Sequence, residues 1–193
     1  MDRPAAPGVL NQMTADIRIR KLVCLTGFMG SGKSTTARLL ASQLGWMNVD
    51  LDKRITEATR LSIPEIFARK GEPEFRRIEH EQLARVVAES EESGKPRIVS
   101  LGGGTLAQPQ NLALLRDHGA VLIWLRCPIE GLLVRCAQIT DRPLFRDEAS
   151  FRRLYEERLP TYQLADYCVE TNTEPARVVE RILALGIFPK VTA

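Results

Sequence analysis

Nine consecutive residues, Gly27-Phe28-Met29-Gly30-Ser31-Gly32-Lys33-Ser34-Thr35, carry the densest chemistry in the chain. They fit the pattern Gly, four residues of any type, Gly, Lys, then Ser or Thr, whose backbone N–H groups turn inward around phosphate oxygens. Lys33 reaches the outer phosphates in such a cradle, and the Ser34 hydroxyl can hold Mg²⁺. Further along, Asp50 and Asp52 lie two apart, one suited to a metal through water and the other to an acceptor hydroxyl. A capping acid pair would look the same. Arg76 and Glu79 stand three apart on one helical face, either as an ordinary surface pair or as a guanidinium held in place by its carboxylate. Gly102, Gly103 and Gly104 form either a tight turn or a backbone left bare for a close ligand. Arg142 sits in a polar, Pro-containing stretch, with Arg152, Arg153 and Arg158 beyond it. That stretch is a solvated loop or a lid whose arginines close over a γ-phosphate.

The elements that position these groups follow from apolar periodicity. Residues 21–26 read as a buried strand and 35–44 as a helix, so the glycine-rich stretch falls where strand turns into helix. Strands are also expected at 46–50, 97–101, 120–125 and 167–170, with helices at 51–59, 74–88, 108–118 and 175–185 and one after Pro128 that carries Arg135. Ser62, Pro64 and Glu65 form a capping box, and Gly71 ends that helix before Glu72-Pro73 opens the next. Strands that are apolar without alternation are covered on both faces, which predicts a three-layer α/β/α fold around a five-stranded parallel sheet. Ligands in such sheets bind at the carboxyl ends of the strands, where Gly27, Asp50 and the three glycines fall.

A 193-residue chain with 44% hydrophobic residues can bury one good core. Net charge is only +3, from 27 basic and 24 acidic residues that are interspersed, which argues against a nucleic-acid partner. No stretch has the length of a membrane span or a signal peptide core, so a cytoplasmic protein without a membrane partner is expected. Residues 1–19 read as a flexible leader, with Met13 an alternative start, and 188–193 as a tail. Cys24, Cys127, Cys136 and Cys168 form no Cys-x-x-Cys pair and read as free buried thiols, while His80 and His118 read as surface helix residues.

Taken together, the nine-residue loop, Asp50-Leu51-Asp52, Phe75-Arg76-Arg77-Ile78-Glu79, Leu101-Gly102-Gly103-Gly104, Asp141-Arg142-Pro143-Leu144 and Arg158-x-Pro160-x-Tyr162 resemble the motif set of shikimate kinases over residues 20–187. The resemblance implies the fold of nucleoside monophosphate kinases, with a short lid at about 140–157. It further implies a monomer that moves the γ-phosphate of ATP to the 3-hydroxyl of shikimate in aromatic amino-acid synthesis, leaving ADP. By carry-over, Gly30, Ser31, Gly32, Lys33, Ser34 and Thr35 hold ATP phosphates. Ser34 binds Mg²⁺, with Asp50 acting through water, and Asp52 meets the reacting hydroxyl. Arg76 and Arg158 pair with the shikimate carboxylate, and Gly102, Gly103 and Gly104 line its ring, Gly103 donating to a hydroxyl. Arg142 reaches the phosphates and Arg135 lies against adenine, with Thr173 and Glu174 the candidates for a further contact to it. A gluconate or nucleotide kinase, or a non-catalytic regulator built on the same domain, would share the loop but not the whole set.

Overall fold

In a computed structural model of the chain, which describes residues 21–137 and 147–189, five parallel strands form one sheet in the order β2-β3-β1-β4-β5. They are β1 (Leu22–Thr26), β2 (Met47–Asp50), β3 (Arg97–Ser100), β4 (Val121–Arg126) and β5 (Tyr167–Glu170). Side chains alternate across the sheet: Leu22 and Cys24 enter one core with Ile66, Leu83 and Leu115, whereas Val23 and Leu25 enter another with Leu40, Val178 and Ile182. The first core is roofed by α3 (Ile63–Ser93) and α4 (Pro109–Asp117), the second by α1 (Lys33–Leu44) and α7 (Pro175–Leu183). Three layers result. The fold expected from the sequence is the one observed.

Covering on both faces holds for β1 and β3 and for β4 up to its last residue, but β2 and β5 are edge strands with exposed positions. Cys168 on β5 is exposed as a consequence, contrary to the expectation of a buried thiol; Cys24, Cys127 and Cys136 are buried. The helix α2 (Leu51–Thr59) follows β2 without a loop, capped by the Asp50 side chain. The expected Ser62–Glu65 capping box starts α3, whose single irregular residue, Gly71 (φ 79°, ψ 170°), splits it into two helical pieces and makes room for Pro73.

A third apolar cluster lies beneath the glycine-rich loop, where Phe28 and Met29 meet Trp124, Leu132, Cys136, Phe151 and Tyr162. It joins α5 (Ile129–Ala137) to α6 (Glu148–Tyr162). The second half of the expected lid, 147–157, is therefore helix rather than loop: Asp147 caps α6 and Phe151 is fully buried, its ring 4.9 Å from that of Phe28 in an edge-on contact. Residues 138–146, Arg142 among them, lie outside the described residues. Phe151→Ala should destabilise the fold by about 3–5 kcal/mol in urea unfolding, the range for emptying a buried Phe site; a loss below about 1 kcal/mol would show that α6 is not anchored through this ring.

Candidate active site

The loop between β1 and α1 is shaped by backbone that only glycine tolerates. Gly30 (φ 80°) and Gly32 (φ 89°) are left-handed, and a Cβ on Gly27 (φ 141°) would sit 2.7 Å from the carbonyl oxygen of Leu125. Gly32 occupies the N-cap of α1, so no side chain caps the first turn and its N–H groups are left to an anion. Lys33 Nζ donates to the carbonyls of Gly27 (2.9 Å) and Phe28 (3.0 Å), which holds the ammonium over the loop. Thr35 is exposed, whereas Ser31 is buried, and its Oγ has no hydrogen-bond partner among the described residues.

Sheet register then brings two more strand ends level with the loop. Leu25 of β1 pairs with Ser100 of β3, and Ser100 pairs with Asp50 of β2. Ser34 Oγ lies 3.3 Å from Ser100 Oγ, and Asp50 uses one carboxylate oxygen to accept from the Lys53 N–H. Asp50 is thus a helix cap in register with Ser100, and its carboxylate and the two hydroxyls are hard oxygen donors. On the other side of the loop, Arg135 donates to the carbonyls of Gly30 (3.3 Å) and Thr171 (2.6 Å), tying α5 to the loop and to the end of β5. An open cleft of about 330 Å³ runs there, lined by Gly32, Thr35, Arg135, Thr173, Glu174 and Pro175 among others.

Across from this cleft, the 102–104 turn owes its glycines to crowding rather than to backbone angle, since none of the three has positive φ. A Cβ on Gly102 would lie within 3.1 Å of Glu79 Oε1, Thr105 Oγ1 and Asp52 Oδ1. One on Gly103 would lie 3.2 Å from an Arg158 nitrogen, and one on Gly104 2.7 Å from Arg76 and 3.2 Å from Arg158. The missing methyls are where Asp52, Arg76 and Arg158 converge.

Each arginine is held from behind. Arg76 donates to Glu79 Oε2 (2.8 Å) and to Glu72 Oε1 (3.0 Å), and Glu79, which has no exposed surface, accepts on its other oxygen from Thr105 Oγ1 (2.7 Å). Burial works against the Arg76 charge, but Glu79 and Glu72 outweigh it and hold the guanidinium above its ordinary pKa. Arg158 lies over the Phe28 ring and stands beside Tyr162, whose hydroxyl donates to the Gly103 carbonyl at 2.6 Å. Burial pushes the Tyr162 hydroxyl up to about 12, with Arg158 pulling the other way.

Lys33, Ser34, Asp50, Asp52, Arg76, Arg158 and both glycine turns therefore gather at one sheet edge, with Arg135 behind the loop. Arg152 does not join them: it pairs with Glu148 and Glu130 on the surface. His80 is not a surface residue either, being half-buried with Nδ1 2.7 Å from Asn111 Oδ1; His118 is exposed as expected. Sequence reasoning gave no role to Ser100, Thr105 or Tyr162. Only Tyr162 carried a signal, its spacing of four from Arg158 on a helix.

The family model for shikimate kinase matches residues 29–185. The chain is 42% identical to a shikimate kinase of Geobacter metallireducens over 165 residues, 84% of this chain and 87% of the relative. It is 37% identical to one of Ruegeria pomeroyi over 171 residues, 86% and 85% of the two chains. Among solved structures, shikimate kinase from Acinetobacter baumannii in complex with shikimate superposes with a TM-score of 0.78 at 32% identity, covering 90% of this chain and 98% of that one.

The Tyr162 clasp has a pH signature. The hydroxyl titrates near 12 when folded against an ordinary value of 10.0, so the stabilisation is complete below about pH 10 and is lost as pH rises toward 12. The stability advantage over Tyr162→Phe, measured by urea unfolding, should therefore be smaller by about 1.4 kcal/mol at about pH 11 than at about pH 8. A gap that stays constant would remove Tyr162 from the buried contact.

Proposed function

Because the chain belongs to the shikimate kinase family, we propose that it transfers the γ-phosphoryl group of ATP to the 3-hydroxyl of shikimate, giving shikimate 3-phosphate and ADP for chorismate and aromatic amino-acid synthesis. The observation that carries the acceptor side is the meeting of Arg76 and Arg158 at the place a Gly104 side chain would fill. Two guanidinium groups held by buried partners are suited to a planar carboxylate, which each can grip through a fork of N–H donors. Asp52 stands at the same turn to take the vicinal hydroxyls, and the Gly103 N–H adds a donor for the ring.

In this reading the 102–104 turn and its arginines fix the acid end of shikimate, which leaves the 3-hydroxyl between Asp52 and the phosphate cradle. Asp52 accepts the hydroxyl proton as the oxygen attacks the γ-phosphorus and the bond to the β-phosphate oxygen breaks. Lys33, Gly30, Ser31, Gly32 and Thr35 stabilise the charge on the departing ADP, and Arg142 is assigned to the phosphates as well. Ser34 Oγ would hold Mg²⁺ directly and Asp50 through water, hard oxygens that fit this ion, and bound Mg²⁺ supplies neutralisation of phosphate charge. Arg135 and the Thr173–Glu174 side of the cleft flank the adenine. No helix of the described residues is long and apolar enough to cross a membrane, and we take the protein as a cytoplasmic monomer that binds no nucleic acid.

ADP release measured in turn with shikimate, gluconate and nucleoside monophosphates tests the reading. Shikimate alone should support rapid turnover, and Lys33→Ala should lower kcat by about a thousandfold, roughly 4 kcal/mol, in a protein that still folds. Faster turnover with gluconate, or near-normal turnover in folded Lys33→Ala, would contradict it.

A further inference from the structure

We propose that Thr105, backed by Asn111 and His80, is a positioning residue for shikimate binding: it fixes the Glu79 carboxylate that in turn aims Arg76. This rests on the assignment of Arg76 to the shikimate carboxylate. The hydrogen bonds have only one possible direction. Thr105 Oγ1 must donate to Glu79 Oε1, because an ionised carboxylate only accepts. Asn111 Nδ2 donates to the Thr105 carbonyl at 3.0 Å, which orients the amide and leaves Asn111 Oδ1 as the acceptor facing His80 Nδ1. His80 Nδ1 therefore carries a proton. His80 follows Glu79 in the chain, so the bonds close a circuit from α3 through α4 and the 3₁₀ turn Thr105–Ala107 back to α3.

Glu79, Thr105 and Asn111 are all fully buried, so no water is at hand to replace a lost partner. Glu79 has a donor on each oxygen, Thr105 on one and Arg76 on the other. Removing the Thr105 hydroxyl leaves Oε1 buried without that donor. The carboxylate is then free to turn toward another donor, and Arg76 loses its fixed acceptor. Gly102 belongs to the same device: a Cβ there would come within 3.0 Å of both Glu79 Oε1 and Thr105 Oγ1. The side-chain hydrogen bonds of Thr105, Asn111 and His80 run to Glu79 and to one another, on the acceptor side of the cleft, so their loss falls on binding of the acceptor. Binding that is equal in ground and transition states appears in KM rather than kcat.

The test is steady-state kinetics on the full chain, with melting temperature recorded for each variant. Thr105→Val should raise the shikimate KM about tenfold, with kcat within about twofold and the ATP KM unchanged, and Thr105→Ser, which keeps the hydroxyl, should restore it. His80→Leu, farther along the circuit and only half-buried, should raise the shikimate KM about threefold, reversed in His80→Gln, which keeps a donor. An unchanged shikimate KM in folded Thr105→Val, or an ATP KM that rises in step, overturns the proposal; if Thr105→Val does not fold, an unchanged KM in His80→Leu overturns it. Arg76→Lys separates the two layers. An unchanged shikimate KM there overturns the Arg76 assignment and this proposal with it, whereas a raised one beside an unaffected Thr105→Val overturns the proposal alone.

Discussion

A carboxylate with no surface in water must be met by donors on both oxygens or it costs several kcal/mol, and Glu79 places that demand at the centre of the acceptor half of this protein. Arg76 answers one oxygen and Thr105 the other. The consequences spread outward from there. The turn that brings Thr105 in must pass so close to the pair that residue 102 has no room for a methyl group, and residue 104 has none because the guanidinium of Arg76 lies against it. Two glycines, one ion pair and one hydroxyl are thus a single packing solution. Tyr162 closes the far side from α6, its hydroxyl donating to the Gly103 carbonyl next to Arg158.

The nucleotide half is built differently. Its geometry is local, made by left-handed glycines and the uncapped start of α1, and it would form on any parallel sheet that ends a strand there. What joins the halves is register. With Leu25, Ser100 and Asp50 paired across β1, β3 and β2, the ends of three strands stand level, and Ser34, Asp50 and the 102–104 turn meet without a long loop. Parallel strands joined by helices leave little choice about which edge that is.

This difference explains what could be read from the sequence. Nine adjacent residues announce the phosphate loop, and β5 and α2 fall on the residues that periodicity gives, because each signal is contained in its own segment. The acceptor site was visible only as residue types. Arg76 with Glu79 and Arg77 with Glu74 are both i,i+3 pairs on the same helix, yet the first carboxylate is fully buried while Arg77 is more than half exposed, and spacing cannot distinguish them. Burial is decided by what packs against the helix, here a turn some 26 positions away in sequence. His80 was misjudged for the same reason, its partner Asn111 lying 31 residues on. Cys168 went astray because an apolar run does not say whether its strand is central or at an edge. The family resemblance filled part of this gap by supplying roles for Arg76 and Arg158, but it carried nothing for Thr105 or Ser100.

Calorimetric titration of the unaltered protein with shikimate and with its carboxamide analogue, both in the presence of ADP, bears most directly on the assignment of Arg76 and Arg158 to an acceptor carboxylate. The amide keeps the ring and its hydroxyls but loses the charge and one of the two acceptor oxygens that a fork of N–H donors requires. It is expected to bind at least about 100-fold more weakly, roughly 2.7 kcal/mol, with ADP affinity unchanged. Equal binding of the acid and the amide would contradict the assignment.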